Sequence, residues 1–73
     1  MKVRFVSRKC KTNLYDYYMH TLYATYHTTN DDTMVEIIEP LSEQSEIWIV
    51  QNCDTEMFFL AHRSQLDDIH YYV

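Results

Sequence analysis

The side chains that could bind a metal or act as a nucleophile belong to four histidines and two cysteines: His20, His27, His62, His70, Cys10 and Cys53. Structural zinc sites usually show CxxC or HxxxH spacing, and neither occurs here. A cysteine beside a histidine could form a nucleophile and its base, but with six such residues in 73 these pairs arise by chance. The chain also lacks glycine, which phosphate-binding loops need where the backbone approaches the ligand. The sequence therefore predicts no enzyme, no metal site and no cofactor.

The absence of glycine also bears on the backbone. Positive φ angles must fall on asparagine or aspartate, the next most tolerant residues, and Asn30 and Asn52 are the first candidates. Paired acids occur only in turn-like segments, where aspartate favours local hydrogen bonds. We therefore interpret these acids as turn residues and not as catalytic pairs: Asp31, Asp32, Asp67 and Asp68.

The length predicts one small domain, residues 1–73, with a limited core. No apolar run approaches the roughly 20 residues of a membrane span. Lys2 and Arg4 interrupt the apolar residues at the N-terminus, so no secretory signal is expected. These features predict a cytosolic protein without a membrane partner. Cys10 and Cys53 would then be free thiols, although a single disulfide between them stays open.

The first predicted element is a strand over residues 2–7, in which polar and apolar side chains alternate. Val3 and Phe5 would face the core, and Lys2 and Arg4 would face outward. Val6 breaks the alternation, so the outer face is not purely polar.

The next segment predicts a helix over 13–28. An apolar face recurs at helical spacing, and it consists of Tyr15, Tyr18, Met19, Leu22 and Tyr26. Asn13 is placed as an N-cap, with Asp16 three residues later as in a capping box. A strand over the threonine-rich end, TLYATYHTT, is the alternative, because threonine and tyrosine do not favour helices.

The rest of the chain predicts strands over 33–39, 46–51, 57–61 and 69–73. Consecutive antiparallel strands with one helix packed on them give an α+β fold of order β-α-β-β-β-β. The alternative is an all-β, small SH3-like β-barrel. The segment FFLAHRSQLDDIHYYV resembles the end of such barrels, where a strand, a single tight helical turn and a last short strand close the barrel.

Charge is strongly segregated along the chain. Five of its six basic residues lie within the first eleven positions, and all eleven acids follow. The net charge of −5 argues against nucleic acid as the main partner, whereas opposed patches steer and orient protein partners. The simpler alternative is that Lys2 and Arg4 pair with Glu36 or Glu39 on a neighbouring strand. Among the tyrosines, at least one of the terminal pair Tyr71 and Tyr72 must face outward.

The whole chain, from MKVRFVSRKCK to IHYYV, resembles small phage-encoded RNA-polymerase-binding transcription regulators. The resemblance rests on length, mass and overall composition, including high tyrosine content and absent glycine. It implies binding to the β′ N-terminal region and the β flap of host RNA polymerase, near the RNA exit channel. Such a protein would displace σ from the promoter complex and later suppress termination. It would act in the cytoplasm of the infected host and meet nucleic acid only within the transcription complex.

Partner-binding residues follow from the charge and strand patterns rather than from a family motif. The first strand could also add to a partner strand if it lies at a sheet edge. The predicted set is Lys2, Val3, Arg4, Phe5, Val6, Arg8, Lys9, Lys11, Tyr71 and Tyr72. A monomer is expected.

Two other functions remain open from the sequence. An acidic DNA mimic, or an inhibitor of a nuclease or CRISPR effector, would align its acids on one face. The candidates are Glu36, Glu39, Glu43, Glu46, Asp54 and Glu56. The other is a small barrel that binds nucleic acid directly.

Overall fold

The computed structural model describes residues 2–7, 14–17 and 19–73. These residues form an all-β domain with two short 3₁₀ turns, Leu14–Asp16 and Arg63–Gln65. The strands are β1 (Val3–Ser7), β2 (Leu22–His27), β3 (Asp32–Pro40), β4 (Ile47–Asn52), β5 (Phe58–His62) and β6 (Leu66–Tyr72). The strand predictions for both ends and the middle of the chain are confirmed, with bounds shifted by one to three residues.

All six strands belong to one antiparallel sheet of order β1-β6-β2-β3-β4-β5. β5 and β6 are joined by the three residues Arg63–Gln65, yet three other strands separate them in the sheet. In a flat sheet, strands about 4.8 Å apart would place β5 and β6 about 19 Å from each other. Four residue steps span at most about 14 Å. The sheet must therefore curl, which gives it an inner and an outer face.

The inner face holds the core. Its buried apolar residues are Leu14, Leu22, Ala24, Val35, Ile37, Trp48, Val50, Ala61, Leu66 and Ile69. Full burial of each larger side chain contributes about 1.5–3 kcal/mol to folding. The ring of Tyr15 packs at 5.0 Å from that of Trp48, and its hydroxyl donates to the carbonyl of Ser45 at 3.1 Å. The first 3₁₀ turn thus anchors the chain over the core.

The predicted helix over 13–28 is wrong, and with it the α+β class. Leu14–Asp16 is a single turn, and β2 occupies Leu22–His27; Asn13 and Tyr18 lie outside the described residues. Leu22 and Ala24 are fully buried, and Tyr23 and Thr25 alternate with them. β-branched and aromatic side chains fit this half-buried strand better than a helix. The alternative strand over TLYATYHTT, and the strand–turn–strand arrangement expected for FFLAHRSQLDDIHYYV, are confirmed.

The predicted orientation of the first strand is also wrong. Val3 and Phe5 are 43% and 48% exposed. The register passes from Phe5 opposite His70 to Ser7 opposite Ile69, so β1 carries one extra residue, Val6. This bulge changes which side chains point inward, and Ser7 becomes buried instead of Phe5.

Positive φ angles occur at Gln44 (60°), Glu56 (63°) and Asp68 (51°) among the described residues. The expectation is therefore wrong for Asn30 and Asn52, and it is confirmed for one aspartate, Asp68. The side chain of Asn52 instead accepts hydrogen bonds from the backbone N–H groups of Asp54 (2.7 Å) and Thr55 (3.0 Å). Asp68 is the extra residue on β6 between the pairs Tyr23–His70 and Thr25–Asp67.

The left-handed backbone at exposed Gln44 gives a testable prediction. Gln44→Val should lower the free energy of unfolding by about 1–2 kcal/mol, because a β-branched side chain clashes in this region. Gln44→Gly should leave it unchanged or raise it by up to about 1 kcal/mol. Urea unfolding measures both. The same pair of substitutions at Glu43 is the control, since it lacks the positive φ; equal effects of valine and glycine at position 44 would contradict the assignment.

Candidate protein-binding surface

A row of directly paired residues crosses the outer face of the sheet from one edge to the other. Residues that oppose each other on neighbouring strands share a face. The row consists of Phe5, His70, Tyr23, Glu36, Gln51 and Phe58. The side chains of this row are aromatic on β1, β6 and β2, polar on β3 and β4, and aromatic again on β5.

Four rings pack together where β1, β6 and β2 meet on this face. We call this group the outer aromatic cluster: Phe5, Tyr23, His70 and Tyr72. The ring of His70 lies 5.5 Å from Phe5, 5.9 Å from Tyr23 and 5.6 Å from Tyr72, and Tyr23 and Tyr72 meet edge to face at 5.8 Å. Such ring pairs contribute about 0.5–1.5 kcal/mol each beyond area burial.

His70 is the centre of the outer aromatic cluster. It is only 7% exposed although it lies on the outer face, because the three other rings cover it. Its Nδ1 lies 2.7 Å from the carbonyl oxygen of Asp68. A carbonyl can only accept, so Nδ1 donates the proton. The backbone at the β6 bulge thereby fixes the orientation of the ring.

The periphery of the cluster is half exposed and apolar. Tyr72 is 46% exposed and lies opposite Val3, so Val3, Phe5 and Tyr72 form a continuous surface. Lys2, directly before β1, and Arg4, within β1, are exposed at the same edge of the sheet. Tyrosine, phenylalanine and arginine are enriched at protein interfaces, so this arrangement can bind an apolar protein surface with acidic surroundings.

The other residues predicted to bind a partner do not belong to the outer aromatic cluster. Tyr71 and Val6 pack against the core, and the ring of Tyr71 stacks on His20 at 4.3 Å. Tyr72 is therefore the more exposed of the terminal tyrosines. Arg8, Lys9 and Lys11 lie outside the described residues.

Sequence reasoning missed two members of the cluster. The sequence predicts a helix around Tyr23, and it offers His70 only as a possible metal ligand or catalytic base. The available signal was the alternation of the last segment, in which His70 and Tyr72 share one face.

The simpler explanation of the N-terminal charge, local pairing with Glu36 or Glu39, does not fit the sheet. β6 and β2 lie between β1 and β3. The ion pairs recorded for the described residues instead join histidines to acids: His27 to Asp32 and Asp67, and His62 to Glu46.

An open groove of about 250 Å³ lies beside the cluster. It is lined by Tyr23, Glu36, Gln51, Asn52, Cys53 and Glu56. Partial burial, and then the carboxylates of Glu36 and Asp54, raise the pKa of the Cys53 thiol. Since the thiolate is the nucleophile, this free cysteine is poorly suited to nucleophilic chemistry.

The other histidines have structural contacts. His62 caps the turn Arg63–Gln65: its side chain accepts from the Ser64 N–H, and the Gln65 side chain accepts from the His62 N–H at 3.0 Å. Within the described part of the chain, no group of three or more histidine, cysteine, aspartate or glutamate side chains is arranged to hold a metal ion. No helix of that part is long and apolar enough to cross a membrane.

Comparison of the chain with protein families, with curated proteins and with solved structures finds no match.

The His27 ion pairs give a pH-dependent prediction. Nδ1 lies 2.7 Å from Asp32 and Nε2 lies 2.9 Å from Asp67, and the hydrogen bond to Asp32, followed by the attraction of both carboxylates, raises the pKa of His27 above 6.5. The protonated ring is favoured in the folded state. Its stabilising contribution is therefore fully present below the unfolded pKa and is lost as pH rises through the folded pKa.

Thermal unfolding of the parent and His27→Gln should test this contribution. The Tm difference should be largest near about pH 5.5 and should shrink by about pH 8.5. His20→Gln is the control, because that ring stacks on Tyr71 and forms no ion pair with a carboxylate among the described residues. A Tm difference for His27→Gln that is the same at both pH values would contradict the assignment.

Proposed function

We propose that this chain is a phage protein that binds host bacterial RNA polymerase through the outer aromatic cluster and the adjoining strand β1. Its contacts are the β′ N-terminal region and the β flap near the RNA exit channel. There it inhibits initiation by displacing σ and suppresses termination, in the cytoplasm of the infected host and without chemistry of its own. The resemblance of the sequence supports the polymerase as target, and the surface supports protein binding.

The observation that carries the proposal is the half-exposed apolar surface around a covered His70. Phe5 and Tyr72 each leave nearly half of their area in contact with water, although both rings are held in place by the cluster. Rigid aromatic side chains lose little conformational entropy on binding, and they often dominate the binding energy. A fixed and exposed aromatic surface is well suited to anchor a partner.

Charge gives this surface an orientation. Lys2 directly precedes β1 and Arg4 lies within it, whereas Glu36 and Glu39 lie on β3, separated from β1 by β6 and β2. A partner with acidic and basic regions would be aligned by these separated charges, mainly through the association rate.

The acidic-mimic alternative receives less support. Its candidate acids would have to form a continuous stripe. Glu39 is followed across the sheet by Ile49 and then Leu60, and Glu36 is followed by Gln51 and then Phe58. Apolar side chains thus interrupt the acidic surface on the outer strands.

Affinity measurements with purified host core polymerase test the proposal. The parent should bind, and Phe5→Ser combined with Tyr72→Ser should weaken binding at least about tenfold, equivalent to about 1.4 kcal/mol. Met34→Ser is the matched control, because Met34 is 50% exposed on β3, away from the cluster. Thermal unfolding confirms that each variant folds. No association of the parent with β or β′ would overturn the proposal, and unchanged affinity of the double variant would overturn the assigned surface.

The regulatory outcome is tested separately. The parent should reduce σ-dependent promoter transcription and increase terminator read-through in reconstituted reactions, and the Phe5→Ser, Tyr72→Ser variant should lose both effects together. Lys2→Ser combined with Arg4→Ser should reduce the salt dependence of association, because fewer charges take part. Binding without any change in initiation or termination would contradict the regulatory role.

A further inference from the structure

Within the part of the chain that the structure describes, one edge of β5 is unpaired and carries backbone hydrogen-bonding groups. The N–H of Asn52 donates to Met57, and the N–H of Arg63 donates to Glu46. In an antiparallel ladder, these bonds identify the hydrogen-bonded pairs, which alternate with pairs that point their groups outward. Phe58 and Leu60 therefore direct their N–H and C=O groups away from β4. Among the described residues, β4 is the only strand that pairs with β5.

The side chains on this edge are large and apolar. Phe58 is 62% exposed and Leu60 is 54% exposed, and both project from the outer face. Natural edge strands are usually protected by charge, proline or a bulge. β1, at the other edge, has Arg4, a bulge and the preceding Lys2, whereas the strand Phe58–His62 has no lysine, arginine, acid, proline or bulge.

We propose that the edge of β5 pairs with β5 of a second copy of this chain. The outward groups permit an antiparallel register around a twofold axis in which Phe58 opposes Leu60 of the second copy and Leu60 opposes its Phe58, and we propose this register because it packs a phenyl ring against a leucine side chain in both pairs. Each pair exchanges two backbone hydrogen bonds, and the two sheets become one continuous sheet. On the outer face, each phenyl ring then packs against a leucine side chain.

The register is also compatible in charge. Phe59 of each copy meets its equivalent at the axis, so no like charges oppose each other within the strand. The five residues of β5 are therefore complementary to themselves in this register. A different protein could pair with β5 in this way only if it offered an edge strand with the same alternation of large apolar side chains.

The dimer is expected to be weak and to strengthen with salt. The contact is one five-residue strand from each copy, and interfaces below about 1,200 Å² are generally transient. Each chain also carries a net charge of −5, so screening should reduce the repulsion between copies. This proposal replaces the sequence-based expectation of a monomer, because the open edge of β5 became visible only in the sheet.

Pairing at β5 does not depend on the proposed polymerase contact. β1 and β5 lie at opposite ends of the sheet order, and the outer aromatic cluster lies at the β1 end. A variant that loses dimerisation should therefore keep the affinity for core polymerase.

Analytical ultracentrifugation of the full chain tests the dimer. We expect a reversible monomer–dimer equilibrium between about 10 µM and 1 mM, with tighter association at about 0.5 M than at about 0.05 M salt. Leu60→Lys should weaken dimerisation at least about tenfold. Met34→Lys is the control, because it adds the same charge to the outer face of a strand within the sheet. A parent that stays monomeric throughout, or a dimer unaffected by Leu60→Lys, would overturn the proposal.

A second experiment tests the register without relying on a destabilising charge. In a background of Cys10→Ser and Cys53→Ser, chains with Phe58→Cys are mixed with chains carrying Leu60→Cys and oxidised. Hydrogen-bonded pairs have Cα atoms about 5.5 Å apart, a distance that suits a disulfide. The mixed disulfide should form in preference to either symmetric one. Preference for a symmetric disulfide, or no cross-link at concentrations where the dimer is present, would overturn the register.

Discussion

β5 and β6 are held together by the turn Arg63–Gln65, although β2, β3 and β4 separate them in the sheet. The guanidinium of Arg63 donates to the carbonyl of Leu66 at 2.9 Å and to the hydroxyl of Ser7 at 3.2 Å. The turn is thus bonded both to the start of β6 and to the end of β1. Because this connection is too short for a flat sheet, it forces the curl that buries Trp48 and Leu66 on one face. The only basic residue outside the N-terminal segment therefore has a structural role.

The curl also explains why so much apolar surface remains outside. A single sheet can enclose a core on its inner face, but among the described residues no second layer covers the outer face. The outer aromatic cluster reduces the apolar area that the outer face exposes to water, because its rings pack against each other and cover His70. Phe58 and Leu60 have no such cover. The two surfaces proposed for binding are thus the places where the architecture leaves aromatic or aliphatic side chains in water.

Most strands could be predicted from the sequence because alternation and turn residues are local signals. The segments that became β3, β4 and β5 were placed within one residue of their observed bounds. The prediction for the segment with Leu22 and Tyr26 is wrong, because the spacing of its apolar residues also fits a helix. Only the pairing of β2 with β3 on one side and β6 on the other decides in favour of a strand, and such pairing joins residues far apart in sequence.

The sequence by itself determined five of the six strand-forming segments, the absence of glycine-dependent loops and the separation of basic from acidic residues, since these depend on residue type and order. It also indicated Phe5 and Tyr72 as candidates for partner binding. Only the tertiary structure decided that Phe5 faces outward, because the bulge at Val6 is defined by its partner strand. The same holds for Tyr23 and His70, which meet through strand register. Register and sheet order arise from contacts between distant segments, so no local pattern contains them.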